Sequence, residues 1–149
     1  MTLNDIETEA VQWIRDIFLP KKYGQSFGQK NLGLQSRGKT IFHAVSDDGE
    51  TVAMISIKGG YAPNGKVDTE ALMQVRGDAL KMLWLEHTPA NRFMILTEPS
   101  MGKVIREEIK KGHFPKEMEI LKVKLPAAIQ KKLDDMRMRE PIPILQQST

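Results

Sequence analysis

Apolar residues near the start of the chain recur with the spacing of an amphipathic helix. They follow one another at intervals of four, three, one and three residues, at Ile6, Ala10, Trp13, Ile14 and Ile17. Such spacing places them on one side of a helix with 3.6 residues per turn. Asn4 followed by Glu7 has the pattern of a capping box and predicts where this helix begins. Pro20 predicts its end, because proline lacks the backbone N–H that a helix interior requires.

The next stretch changes from loop character to strand character. Residues 21–39 contain four glycines, which predicts a loop with a short strand within residues 31–35. Residues 40–46 and 52–57 are rich in apolar and β-branched side chains and flank Asp48-Gly49. This dipeptide predicts a two-residue type I′ turn, which needs positive φ at both positions. The segment is therefore predicted to be a β-hairpin.

Helices and strands alternate through the rest of the chain. The pattern predicts a helix from its N-cap Asp68 to about Glu86, a strand over 92–97, a helix over 101–111, a strand over 118–125 and a helix beginning at Pro126. A hairpin followed by such alternation predicts an α/β (α+β) fold with a small mixed β-sheet flanked by helices. We expect one domain over residues 1–140 and an extended C-terminal tail over 141–149, where two prolines disfavour a helix.

Composition narrows the class of protein. The 149 residues suffice for one domain, and the absence of cysteine excludes disulfides and thiolate metal sites. No segment approaches the roughly 18 apolar residues of a membrane span, and the acidic N-terminus is unlike a signal peptide. We therefore expect a cytoplasmic protein without membrane association. A net charge of +3 is compatible with polyanion binding without requiring it.

The predicted turn also sets the register of the hairpin. With Asp48 and Gly49 as turn residues, Val45 faces Val52, His43 faces Met54 and Ile41 faces Ser56. Because side chains alternate across a sheet, His43, Ser56 and Lys58 project from one face. Three polar groups on an apolar face need partners, since an unpaired buried polar group costs about 1–3 kcal/mol.

In this hairpin the chain resembles the PD-(D/E)XK nuclease superfamily. Phe42-His43-Ala44-Val45 is similar to the family's Phe-Asp-x-Val pattern, and Ser56-Ile57-Lys58 is similar to its acid-x-Lys triplet. The resemblance covers residues 5–97 in element order and implies a restriction-endonuclease-like core. It places His43, Ser56 and Lys58 at the family's catalytic positions, with Glu9 or Glu7 as the helical glutamate. It also matches Gln74 to a glutamine that some members carry on the next helix.

The two substitutions change the chemistry that the resemblance implies. In the family, carboxylates bind a divalent ion that activates water, and the lysine orients the nucleophile. Magnesium prefers hard oxygen ligands and is poorly served by an imidazole and a hydroxyl. We therefore expect an impaired or lost metal site, no cofactor and no ordinary nuclease activity. The alternative to a functional role is that His43 is a core histidine whose hydrogen bonds are made with Ser56 or a backbone group. Lys58 is then a strand-end lysine that extends to water.

The leading hypothesis is a nucleic-acid-associated protein that binds DNA or RNA phosphates through Lys58, Lys39, Arg37 and Gln74. A non-catalytic protein-interaction or regulatory module on the same scaffold is the first alternative. The second is an atypical nuclease that uses magnesium or manganese and recruits Glu7, Glu9, Asp47 or Asp48 as ligands. The apolar tail also predicts a homodimer formed through the C-terminal helix and tail.

Overall fold

The computed structural model describes residues 1–139. In it, a five-stranded mixed β-sheet lies between two layers of helices. The strands are β1 (Phe27–Leu34), β2 (Gly38–Ser46), β3 (Thr51–Ser56), β4 (Asn91–Leu96) and β5 (Glu119–Lys122). The helices are α1 (Leu3–Trp13), α2 (Leu19–Tyr23), α3 (Thr69–Leu83), α4 (Pro99–Lys110) and α5 (Ala127–Arg139), with a π-helical turn (Ile14–Phe18) between α1 and α2. The predicted fold class is confirmed. The predicted tail lies outside the described residues.

The strands lie in the sheet in the order in which they occur along the chain. β1, β2 and β3 are antiparallel neighbours, whereas β3, β4 and β5 run parallel to one another. The parallel strands therefore end at one edge of the sheet, where Ser56 pairs with Leu96 and Leu96 with Lys122. We call this end of the sheet the carboxyl edge.

Each face of the sheet has its own apolar core. One core joins Val52, Met54 and Met94 to α3 and α4, and the other joins Ala53, Phe93 and Ile95 to α1, the π-helical turn and α5. Neighbouring residues of β4 are buried on opposite faces, which explains its unbroken apolar sequence. The helices α4 and α5 follow adjacent parallel strands but belong to different cores, so they cover opposite faces of the sheet.

The first helix begins and ends at other residues than the sequence predicts. Thr2, not Asn4, is the N-cap: its hydroxyl accepts from the N–H of Asp5, whose carboxylate accepts from the N–H of Thr2. Pro20 does not end the helical segment, because the π-helical turn precedes it and leaves it in the first turn of α2, where no donor is needed. The segment ends at Gly24, whose φ of 70° is left-handed.

The register predicted for the hairpin is confirmed near its turn, but the turn type is wrong. Ala44 pairs with Ala53 and Val45 with Val52. Gly49 alone of the two central residues has positive φ, and its N–H donates to the Ser46 carbonyl at 2.9 Å. Asp48 keeps negative φ and accepts hydrogen bonds from the Ser46 hydroxyl at 2.6 Å and the Glu50 N–H at 2.9 Å. Because of these hydrogen bonds, Asp48 does not need the left-handed backbone conformation of a type I′ turn.

A β-bulge in β2 bends the hairpin that β2 forms with β1, a full strand where mostly loop was predicted. Gly28 pairs with Val45, but Lys30 pairs with Phe42, so two residues of β2 oppose a single residue of β1. The extra residue reverses the side-chain alternation and places Phe42 in the same core as Val45. The far end of the hairpin then turns onto α3, where Leu34 bridges to Leu85 just beyond that helix.

Gly60 fixes the loop between β3 and α3 against α4. Its N–H donates to the Ser100 hydroxyl at 2.9 Å, and a Cβ there would lie 2.6 Å from the Ser100 carbonyl oxygen. We expect Gly60→Ala to lower the free energy of unfolding by about 1–3 kcal/mol through steric overlap. Gly77→Ala, within α3 and with no atom within 4 Å, is the control and should be stabilising by about 1 kcal/mol. Urea denaturation measures both, and equal effects would contradict the close packing of Gly60.

Candidate functional site

His43 is a residue of β2, and its ring takes the place of a strand-pairing bond to β3. Its Nδ1 accepts from the N–H of Ile55 at 2.8 Å, at the point where β2 leaves β3. This bond places the proton of the neutral ring on Nε2. Burial lowers the pKa of His43, and the positive charges of Lys81 and Arg15 lower it further. His43 is thus a neutral donor through Nε2 and is poorly suited to act as a base at that atom, and its satisfaction by a backbone group is confirmed.

The structure does not pair Ile41 with Ser56 as the predicted register requires. The β2–β3 ladder consists of the pairs at Ala44 and Val45, and the bulge turns the remainder of β2 away. Ser56 is the last residue of β3, and its carbonyl accepts from the Thr97 N–H at 3.2 Å. Lys58 is exposed two residues beyond the strand, at the carboxyl edge. His43 and Lys58 therefore do not share one regular strand face.

The acidic residues considered as substitute ligands lie apart. Glu9 forms an ion pair with Lys132 of α5 at 3.2 Å. Asp47 and Asp48 lie at the amino end of β3, whose six residues separate them from Ser56 by about 20 Å. Within residues 1–139, no three His, Asp or Glu side chains converge as a metal-binding group would.

The structure places the other residues predicted to bind nucleic acid in the bent end of the hairpin and on α3. Arg37 stacks on the Trp84 ring, 4.2 Å from its centroid, just past the end of α3. Lys39 pairs with Gly33 in the same bent part of the hairpin. Gln74 donates to Asp78 within α3 at 3.1 Å. For Arg37 and Lys39 the bulge is the reason, since it carries the hairpin end away from the carboxyl edge toward the end of α3.

A buried carboxylate on α3 was missed by sequence reasoning. Asp78 is 3% exposed and is held by the Gln74 amide and, at 3.9 Å, by the Lys81 ammonium. Burial raises the pKa of Asp78, against the lowering effect of Lys81 and Gln74. The available signal was its position in the buried helical series Ala71, Val75, Asp78 and Met82. An acid at an apolar position of such a series requires partners on the same helix.

A cleft of about 830 Å³ opens at the carboxyl edge, beside the ends of β4 and β5. Its walls come from the start of α4 on one face of the sheet and from α5 on the other. Adjacent parallel strands whose helices cover opposite faces leave a crevice between them, and ligands of open α/β sheets bind at such places. This cleft is the site that the topology favours.

The cleft has unpaired cations on one side and a buried unpaired hydroxyl. Arg106, Lys122 and Lys124 line it, and none of them forms an ion pair within the described part of the chain. Thr97 also lines it, is 9% exposed, and has no hydrogen-bond partner for its Oγ1 in residues 1–139. An unpaired buried hydroxyl costs about 1–3 kcal/mol.

Arg137 of α5 ties the cleft wall to the sheet. Its guanidinium donates to the Ile57 carbonyl beyond β3 and to the Glu98 carboxylate, the latter at 2.7 Å. Gln130 donates to the same carboxylate at 3.3 Å. This network pairs the Glu98 carboxylate with the Arg137 guanidinium.

Comparison of the chain with protein-family models, curated proteins and solved structures found no match. The resemblance to the nuclease superfamily therefore stays a prediction from the sequence. Among the described helices, none combines the length and the hydropathy needed to cross a membrane. The apolar side of α5 packs on the sheet and α1 through Ile129 and Leu133. The predicted homodimer also involves the tail, which lies outside the described residues.

The acceptor role of the half-buried His43 predicts a specific pH dependence of stability. Its pKa is lower in the folded state than the value of about 6.5 in the unfolded chain. The unfolded state therefore binds more protons, and this contribution to stability is complete above about pH 6.5 and declines as pH falls below it. His43→Asn keeps an acceptor near the Nδ1 position without titrating, so its free energy of unfolding should fall less between pH 7 and pH 5. Urea denaturation at each pH measures both proteins.

Two controls accompany this comparison. His87→Asn removes an exposed histidine that contacts Glu50 and should leave the acid sensitivity due to His43 in place. His43→Leu leaves the Ile55 N–H unpaired and should cost about 1–3 kcal/mol at pH 7. Equal pH slopes for the wild type and His43→Asn would show that His43 is not the sensitive group.

Proposed function

We propose that the protein associates with nucleic acid by binding phosphates along the carboxyl edge of its sheet, without the metal chemistry of the nucleases it resembles. The supporting observation is a group of basic side chains at this edge and on the adjoining α4. We call it the basic edge, and it consists of Lys58, Tyr61, Lys103, Arg106, Lys122 and Lys124. Lys58 is the residue that connects this surface with the sequence hypothesis.

Contacts and the shared cleft join five members of the basic edge, all except Lys58. The Lys103 ammonium lies 6.0 Å from the centre of the Tyr61 ring, and Arg106 follows Lys103 by three residues on α4, which places both on one side of the helix. The Lys122 side chain crosses α4 at Gly102, with its Cε 3.3 Å from where a Cβ there would stand. Arg106, Lys122 and Lys124 then line the same cleft.

The charges of the basic edge are available to a ligand. Its five cations have no ion-pair partner among residues 1–139, whereas Lys132 and Arg137 nearby are paired with carboxylates. Unpaired lysines and arginines that follow a surface are the electrostatic requirement for phosphate binding. The position of these residues at the ends of parallel strands gives the proposal its geometric support.

Tyr61 favours single-stranded over double-stranded partners. Its side chain is 40% exposed, beside the Lys103 ammonium. An exposed ring among cations stacks on unpaired bases, an interaction worth about 1–3 kcal/mol per base. The bases of a duplex are not accessible to such stacking.

Neutralising the basic edge should weaken nucleic-acid binding strongly. In the triple variant Lys103→Gln, Arg106→Gln and Lys122→Gln, the salt slope of log K should fall by about 2, because each single-strand phosphate contact contributes about 0.7. The same slope implies an affinity loss on the order of 100-fold at about 0.1 M salt. Fluorescence anisotropy of a labelled single-stranded oligonucleotide over a salt series measures both quantities.

A charge-matched variant separates this surface from general electrostatics and from the residues chosen by sequence. Lys21→Gln, Lys30→Gln and Lys39→Gln remove the same charge from exposed positions away from the cleft. We expect this variant to bind nearly as the wild type does. An equal loss in both triple variants, or no binding by the wild type at low salt, would contradict the proposal.

Replacing Tyr61 tests the preference for single strands. Tyr61→Leu keeps an apolar side chain but removes the stacking surface, so affinity for a single-stranded oligonucleotide should fall about tenfold. Binding of the corresponding duplex, measured in the same anisotropy assay, should change little. A parallel loss for both ligands would assign Tyr61 a structural role instead.

A further inference from the structure

We propose that two copies of this chain associate as an antiparallel dimer through the solvent-facing side of α3. The inference goes beyond nucleic-acid binding and does not depend on it. It rests on a line of apolar residues along that helix and its C-cap. We call this line the outer stripe, and it consists of Met73, Gly77, Leu80 and Trp84.

The outer stripe lies on the side of α3 that faces away from the core. The buried residues of this helix are Ala71, Leu72, Val75, Asp78, Ala79 and Met82. At about 100° per residue these positions cluster on one side, and the outer stripe lies on the other. Met73 is accordingly 55% exposed and Leu80 is 42% exposed. A helix on the surface of a single domain carries polar side chains there, so an apolar outer side indicates a partner.

The spacing of the outer stripe is that of a seam between two helices. Its members follow one another at intervals of four, three and four residues. A repeat of about 3.5 residues keeps one side of a helix aligned with a neighbouring helix. Single apolar side chains scattered over a surface need no partner, but these positions are aligned over about three turns of one helix. The partner that fits the outer stripe is therefore another helix.

Gly77 is explained by such a partner and not by the fold of the single chain. A Cβ at this position would have no atom within 4 Å, and the residue is not among the glycines with positive φ. Glycine within a helix is less favourable than alanine. Without a side chain at Gly77, a second helix can approach closely, and the larger side chain of its Leu80 can pack there.

The charges at the two ends of the outer stripe identify a second copy as the partner. Glu70 lies in the first turn of α3, and Arg37 lies 4.2 Å from the centre of the Trp84 ring at the other end. Neither forms an ion pair within residues 1–139. In an antiparallel pair centred near Gly77, Glu70 of each copy lies opposite Trp84 and Arg37 of the other. The outer stripe is thus complementary to itself, as a two-fold symmetric interface requires.

Sedimentation velocity of the full-length protein, without nucleic acid and over about 1–200 µM, tests the dimer. A single helix face is smaller than a standard interface, so we expect a Kd of about 10–100 µM. Leu80→Lys places a charge in the seam and should keep the protein monomeric throughout. Ile17→Lys is the matched control, 56% exposed on the π-helical turn, and should dimerise as the wild type does. A monomeric wild type at about 200 µM, or undiminished association of Leu80→Lys, would overturn the proposal.

Gly77→Ala separates association from folding. At about 1 µM, where the protein is monomeric, the better helix former should raise the melting temperature by about 3 °C. The same methyl group holds the two helices apart and should weaken dimerisation about tenfold. Dimerisation as tight as that of the wild type would contradict contact at Gly77.

An exchange of charges tests the antiparallel orientation. Glu70→Lys should raise the Kd of the dimer about tenfold, because two like charges then meet at each end. Adding Arg37→Glu restores an opposite pair at both ends and should return the Kd to within about threefold of the wild-type value. Failure of the double variant to recover would reject this orientation.

A variant of the C-terminal tail distinguishes this interface from the one expected from the sequence. Ile144→Lys and Leu145→Lys together alter the apolar tail, which lies outside the described residues. We expect this variant to dimerise as the wild type does. Loss of the dimer in the tail variant, with Leu80→Lys still dimeric, would assign the interface to the tail and overturn the proposal.

Discussion

The β-bulge at His43 and Ala44 is the constraint on which the arrangement of this molecule depends. It allows β2 to pair with β3 near the turn and then to leave the sheet toward α3. The departure removes a pairing partner from the backbone of Ile55, and the imidazole of His43 replaces it. His43, whose place in the sequence resembles a catalytic position, is therefore engaged in a structural hydrogen bond. The fold requires the neutral form of its ring.

The position of the cleft follows from how the helices are distributed over the sheet. α4 and α5 succeed neighbouring parallel strands but cover opposite faces, so the two chain connections diverge at the carboxyl edge. The space between them collects the side chains at the strand ends, including Thr97 and Lys122. The Arg137 network with Glu98 and the Ile57 carbonyl holds this opening to the sheet. A site formed in this way needs no metal-binding carboxylates.

Particular residues show how far sequence reasoning extends. The N-cap Asp68, the paired positions around Val45 and Val52, and the strand and helix order after residue 68 were all predicted from local patterns and are confirmed. The continuation of the helical segment past Pro20 and the full strand β1 were not predicted, because both depend on contacts made elsewhere in the chain. The predicted pairing of Ile41 with Ser56 was wrong, because an extra residue in β2 reverses the side-chain alternation and the β2–β3 ladder does not extend beyond Ala44.

By itself, the sequence determined the fold class, most elements, the absence of thiol chemistry and the presence of His43 and Ser56, not carboxylates, at the positions compared with the nuclease motif. These properties follow from residue identity and from periodicity over short distances. Only the tertiary structure decided which cations lie together, since Arg37 and Lys39 were separated from Lys58 by the bend in the hairpin and Lys103, Arg106 and Lys122 were joined by packing between α4 and β5. The faces that helices cover and the bends of strands are set by burial across the whole sheet, which no local pattern records.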